Sequence, residues 1–396
     1  MNKLAPEMSI GEIADIIGGG TPSKSNPSYY NGTIPWATVR DMSTDVLSVT
    51  EHSITEAGLN GSSSNLIPGG EVIIATRVGL GKACILKQPT AINQDLRGVI
   101  PKPGVNLDRK YLHYWFKSIS NTIVAAGTGA TVQGVKLPFI KSLRIPLPPL
   151  DEQKRIVSIL DQAFEGLDRA RANAEANLES ARELFEQAVE DGLSSKGDNW
   201  ISTTINAVCD SVEYGTSSKS EPEGAVPVIR MGNMQDGEID WTDLVYSNSP
   251  LDIAKYKLKP NDVLFNRTNS LEHVGKTAIY RGETTALFAG YLIRLNYKAD
   301  IVNPEYLNFF LNSSNVRQYG RMVSGKSVNQ ANISGSKLKL YKISLPPLQE
   351  QMEIAGRLKD LKRQSNLLRH TYRLKLENVE GLRQSLLQKA FSGELT

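Results

Sequence analysis

The side chains able to do covalent chemistry or bind metal are few and scattered. His52, His113, His273 and His370 stand far apart, at none of the spacings that bring two imidazoles onto one metal. Cys84 and Cys209 are too few for a four-ligand zinc site or a disulfide framework. No Gly-x-Ser-x-Gly motif presents a serine nucleophile, although a triad assembled by the fold leaves no spacing to read. Ser270-Leu-Glu-His-Val-Gly-Lys-Thr277 ends like a phosphate loop but lacks its first glycine. A working loop opens a helix, so that backbone N–H groups face the phosphates. Here Ala278-Ile279-Tyr280 follows and reads as a strand. Gly18-Gly19-Gly20 has Ser23 where a dinucleotide fingerprint needs its third glycine.

The elements must therefore serve binding more than catalysis. The 396 residues are 40% apolar and 22% charged, which supports packed cores and excludes wholesale disorder. Lys+Arg minus Asp+Glu is 45 − 42 = +3, so any hold on a polyanion must come from local placement of charge. Met1–Gly11 has no apolar core of signal-peptide length, and no run approaches the roughly 20 apolar residues of a membrane span. A reduced, cytoplasmic protein of two to three domains is expected.

The chain is written twice. Ile145-Pro-Leu-Pro-Pro-Leu-Asp-Glu-Gln153 returns as Ile343-Ser-Leu-Pro-Pro-Leu-Gln-Glu-Gln351, offset by 198 residues with seven of nine positions identical. Each string ends a strand, and its prolines suit the first turn of a helix. Each is followed by a long amphipathic helix of about 40 residues, about 60 Å. The stripe in the first runs through Ile156, Leu160, Ala163, Leu167, Ala170 and Ala174, then after a stutter Leu178, Ala181, Phe185 and Ala188. In the second it runs through Ile354, Leu358, Leu361, Ser365, Leu368 and Tyr372, then Leu376 and Val379. Gly192 and Gly393 are placed to end the two helices.

A stripe of that length must be buried on a partner. Residues 150–197 carry 6 basic and 11 acidic side chains and residues 348–396 carry 9 and 6, net −5 and +3, which favours the two helices pairing with each other within one chain. The competing reading packs each helix on its own globule. The globules repeat more loosely. Ile34–Met42 parallels Val226–Met234, Gly81-Lys82 parallels Gly275-Lys276, and Asp108–Phe116 parallels Asn303–Leu311. The fold class expected is α+β: two similar heads, 1–147 and 197–345, separated by two long helices, 148–196 and 346–396, as an intramolecular coiled coil with a pseudo-two-fold axis.

This plan, with its doubled Leu-Pro-Pro-Leu-x-Glu-Gln motif, resembles the specificity subunit of type I restriction–modification systems. The resemblance spans essentially the whole chain. The openings of the heads (Ile10-Gly-Glu-Ile13 with Gly20-Thr-Pro-Ser23, and Trp200 to Gly215-Thr216) and the ending Leu386–Leu395 fit it too. It implies a non-catalytic subunit whose heads are target recognition domains, each reading half of a split double-stranded DNA sequence. It implies helices that act as spacer and docking surface for two adenine-N6 methyltransferase subunits, joined by restriction/translocase subunits. S-adenosylmethionine, ATP and magnesium would belong to those partners, with no cofactor or metal in this chain.

Given that resemblance, loops rich in hydroxyl, amide and basic groups are the candidate DNA contacts. In the first head these are Thr38, Arg40, Asp41, Thr76, Arg77, Lys82, Gln94, Thr128, Thr131 and Gln133. In the second they are Ser218, Lys219, Arg230, Asn233, Arg267, Thr268, Asn269, Lys276, Lys326, Ser327, Asn329 and Gln330. Helix pairing or subunit contact falls to Leu160, Leu167, Leu178, Phe185, Leu358, Leu361, Leu368, Tyr372 and Leu376. Ordinary turn chemistry is the bland alternative for each loop. The first head is net +4 (14 basic, 10 acidic) and the second net +1 (16 and 15), so basic character leans to the heads more than to the first helix. The second head's weak surplus leaves room for partner subunits to supply phosphate contacts. Two other functions compete: a coiled-coil scaffold whose heads bind protein or other ligands, and an autonomous methyltransferase. Asn26-Pro-Ser-Tyr29 resembles the Asn/Asp-Pro-Pro-Tyr/Phe signature of amino-methyltransferases but lacks its second proline, and reads as a turn before Trp36.

Overall fold

The computed structural model describes residues 5–129, 133–194, 197–327 and 330–395. The chain divides into two compact units, one holding the residues up to Ala174 with those from Leu374 onward, the other Glu175–Arg373. The division cuts through both long helices, Leu150–Ser194 and Leu348–Ser392, so each unit is a head with a segment of each helix.

The head of the first unit is built on a five-stranded sheet in the order Ala14–Gly18, Leu96–Pro101, Val72–Ala75, Ala83–Leu86, Val46–Leu47. The first four are antiparallel. Val72–Ala75 is buried at every position: Val72 and Ile74 face one apolar cluster, Ile73 and Ala75 another. Period-two alternation with both faces covered explains its unbroken run of apolar residues. The second unit repeats the design. Cys209–Tyr214, Leu292–Tyr297, Val263–Asn266 and Thr277–Ile279 form its antiparallel core, with Val263 and Phe265 on one face and Leu264 on the other. In each head a smaller sheet pairs Tyr30–Ala37 or Val226–Ile229 antiparallel to one strand and parallel to another.

The repeated string has a structural reason. Gln153 is fully buried; its Oε1 accepts from Asp108 N at 2.9 Å and its Nε2 donates to Asn106 O and Pro148 O. Gln351 does the same with Asn303 N, Ile301 O and Pro346 O. Each glutamine thus ties the first turn of a long helix to the N-terminus of the head's own helix, Arg109–Ser118 or Pro304–Asn312. Tyr111 and Tyr306 then donate to Pro146 O and Ser344 O, fastening those helices to the strand before the prolines.

The long helices run antiparallel within each unit. In the first, Ile156, Leu160 and Phe164 share a cluster with Leu387 and Ala390, and Arg383 pairs with Asp168. In the second, Val189 and Leu193 share a cluster with Ile354, Ala355 and Leu358, and Ser365 Oγ donates to Ala181 O at 2.8 Å. Both competing readings hold part of the truth, since the same residues also cover the heads. One helix end differs from expectation. Gly192 does not end the first helix, which continues to Ser194 with Gly192 packed beside Ile354 and Leu358. Gly393 does follow the end of the second, with φ of 82°.

The seam on the second helix also departs from the leucine spacing. Leu358 is buried, but Leu361 and Leu368 are 40% and 48% exposed. Their neighbours Lys362 and Arg369 take the inner positions, because Lys362 reaches Glu238 of the head at 3.3 Å. Leu160 is buried, and Leu167, Leu178, Phe185, Tyr372 and Leu376 are half-buried.

Candidate nucleic-acid interface

In the first head three separated segments converge on the hairpin between Val72–Ala75 and Ala83–Leu86. Asp95 O accepts from Thr76 N at 2.8 Å and Arg77 N at 3.3 Å, and the Asp95 carboxylate lies 3.7 Å from Arg77 Nη1. Arg77 bridges to Gly134, which also pairs with Thr128, so Thr128 and Gly134 lie alongside. The hairpin turns through Val78 (φ 41°) and Gly79 (φ 68°), where a Cβ on Gly79 would strike Val39. That close approach brings the Thr38–Asp41 turn against the hairpin loop.

The Thr38–Asp41 turn is self-capped: Asp41 Oδ2 accepts from Thr38 N and Oγ1. Beside it, Thr38, Arg40 and Gln94 line a cleft of about 700 Å³ with Lys24, Tyr30 and His52. Arg40, Arg77, Lys82, Gln94, Thr128 and Gln133 are exposed, while Thr76 is buried and serves the loop itself. Sequence reasoning missed Lys24, Tyr30 and His52, which no motif marks. It also missed Arg97, whose pKa burial and then neighbouring Arg77 push below the usual arginine value. Two guanidiniums sharing one acid form an electropositive spot suited to phosphate.

The second head uses the same scaffold differently. Asn266, fully buried, closes the hairpin loop through Gly275 N and Lys276 O. Thr268-Asn269 pairs with Gln330–Asn332, which pairs with Gly325–Ser327, giving a three-stranded ribbon. Arg267 is committed internally: its Nη2 donates to Asn332 Oδ1 at 3.2 Å and its guanidinium lies 4.9 Å from the Tyr214 ring centroid. Arg230 pairs with Asp243 at 3.1 Å, and buried Asn233 braces Asp240 O and Thr242 O. Thr268 is buried, whereas Ser218, Lys219 and Gln330 are exposed. Lys276 points instead toward Arg317 and Gln235. Thr131 and Asn329 lie outside the described residues, as do the side chains of Lys326 and Ser327.

The lookalike motifs resolve as structure. Thr277 begins a strand, so no helix opens behind Gly275-Lys276. Asn26 Oδ1 caps Ser28 N in a tight turn. Cys84 and Cys209 are buried, which pushes both thiols up to about 12 and silences them as nucleophiles. Among the described residues no group of three or more His, Cys, Asp or Glu could hold a metal ion.

The family profile described as the type I restriction modification DNA specificity domain matches this chain twice, over residues 3–178 and 197–378. The chain belongs to the type I specificity family. The specificity subunit of the EcoKI type I restriction enzyme from Escherichia coli K12 is 30% identical over 293 residues, 70% of this chain and 63% of that protein. That of EcoR124I/EcoR124II, also from Escherichia coli, is 34% identical over 191 residues, 45% and 47% of the two chains. The alignments thus span less than two thirds of these relatives' own length. A chain of a solved type I restriction–modification system shares the specificity-family fold with a TM-score of 0.81 at 20% identity, over 100% of both chains. The HsdS subunit of Thermoanaerobacter tengcongensis gives 0.61 at 19% identity, over 100% of this chain and 98% of that one.

Proposed function

We propose that this chain is the non-catalytic DNA-specificity subunit of a cytoplasmic type I restriction–modification complex. Each head reads one half of a bipartite duplex target. The two long helices fix the gap between the halves and dock two adenine-N6 methyltransferase subunits, with restriction/translocase subunits joining through the complex. S-adenosylmethionine, ATP and magnesium belong to those partners.

One observation carries the reading: the same hairpin and turn are built on equivalent sheets in the two heads, and the loops around them carry different side chains. Arg40, Arg77, Lys82 and Gln94 stand on the first head, and Ser218, Lys219, Asn269 and Gln330 on the second. Forks and amides of that kind can read base edges, and unlike sets imply unlike half-sites. Among the described residues no helix is long and apolar enough to cross a membrane.

The test is selection from a random duplex library by the chain with its methyltransferase subunits. A split sequence with a fixed unspecified gap is expected; a single continuous site, or no enrichment, overturns the proposal. Arg40→Ala should relax one half-site and leave the other unchanged, with a loss of about 1–3 kcal/mol.

A further inference from the structure

A crevice of about 350 Å³ in the second unit is lined by five basic and two acidic side chains. Two of the cations are neutralised, Lys362 by Glu238 at 3.3 Å and Arg182 by Glu186 at 2.9 Å. The other three are Lys276 from the sheet hairpin, Arg317 from the helix Ser314–Val323, and Arg369 from the second long helix. None of these three has an ion-pair partner among the described residues. Lys276 reaches Gln235 Oε1 only at 3.5 Å, and Arg369 reaches Asn366 Oδ1 only at 3.4 Å. Arg317 donates through Nη2 to Glu272 O, while its Nε is shut off from solvent with no acceptor.

Burial and neighbouring positive charge also disfavour the charged forms of two of these cations. Burial and then Arg317 lower the pKa of Lys276, and burial and then Arg321 lower that of Arg317. The amide oxygens of the polar floor are already used, because Asn308 Oδ1 accepts from Thr277 Oγ1 and Asn312 Oδ1 accepts from Thr277 N. Asp236 and Glu272 act on Lys276, and Glu272 on Arg317, without forming an ion pair; half-buried positive charges left unpaired in this way are costly, and an anion seated among them lowers that cost. One ammonium and two guanidinium forks converging from three elements form a donor set for a tetrahedral oxyanion. In the first head Lys82, the repeat partner of Lys276, is instead exposed.

We propose that this crevice binds a phosphoryl group through Lys276, Arg317 and Arg369. The group comes either from free phosphate or from a DNA backbone, which offer the same chemistry. Calorimetry on the full chain in chloride buffer, titrated with inorganic phosphate and with pyrophosphate, should show saturable binding at one site. Lys276→Gln and Arg369→Gln should each weaken it about tenfold, as expected for one lost charge-assisted hydrogen bond. Arg363→Gln, on the exposed side of the same helix, should leave it unchanged. Duplex DNA that displaces the phosphate identifies the backbone as the source, and simultaneous binding identifies free phosphate; either result supports the site. Absence of saturable phosphate binding, or variants that bind like the parent, overturns it. The library selection reads base specificity and can succeed whichever way this measurement falls.

Discussion

Gln153 and Gln351 show what a single side chain does here. Each buries an amide whose acceptor and both donors are used on backbone groups of the head or of the proline turn. Replacing Gln351 with Leu strands Asn303 N, Ile301 O and Pro346 O together. The expected cost is about 3 kcal/mol or more, since each buried unsatisfied group costs roughly 1–3 kcal/mol. Denaturant unfolding followed by a probe in the second head would read it. The surface variant Gln349→Leu should be close to neutral. A Gln351→Leu chain as stable as the parent would mean that water replaces the amide.

The second long helix is held as much by its head as by the other helix. Glu305 accepts from Lys359 at 3.0 Å and pairs with Arg281, which also bonds Glu238. Burial opposes ionisation of Glu305, but hydrogen bonds from Arg281 and then Lys359 outweigh it and hold the carboxyl below its usual range. With a folded pKa below the unfolded value of roughly 4.3, the carboxylate stabilises the unit fully above that pH. Its contribution is lost as pH falls through the folded value. Glu305→Gln should therefore cost about 1–2 kcal/mol at pH 7 and flatten the acid limb of a stability–pH profile; an unchanged limb would place the acid sensitivity elsewhere. Leu361, Leu367 and Leu368 remain exposed on this helix. Leu361→Gln with Leu368→Gln should leave the melting temperature within a degree or two, since exposed substitutions change stability by about 0.5 kcal/mol or less. Binding of the proposed methyltransferase partner, measured by co-purification, should weaken; full retention would remove these leucines from the proposed docking surface.

For the molecule as a whole, the proposed role of the helices as a spacer gives a test independent of any one residue. Deleting one matched heptad from each long helix, in register with the antiparallel pairing, preserves the seam and removes about 10 Å at 1.5 Å per residue. The selected DNA gap should shorten while both half-sites stay the same. Altered half-sites would show that the helices shape the heads themselves.

Two levels of this protein were legible in its amino acids. The doubled proline–glutamine string marked two homologous halves, because a turn and a long helix leave local signatures that neighbours do not overwrite. The buried strands and the short helix of each head were legible for the same reason. Tertiary packing decided the rest. Lys362 takes an inward position that leucine spacing assigns to Leu361, because an acid on the head lies within reach. Arg267 looked like a reader and is spent on Asn332 and Tyr214, while Lys24, His52 and Arg97 join the first head's loops unannounced. Periodicity reports which face of an element is apolar. Which charge finds a partner, and which is left to bind something else, depends on residues brought near by folding, and that proximity is not written in any local stretch of sequence.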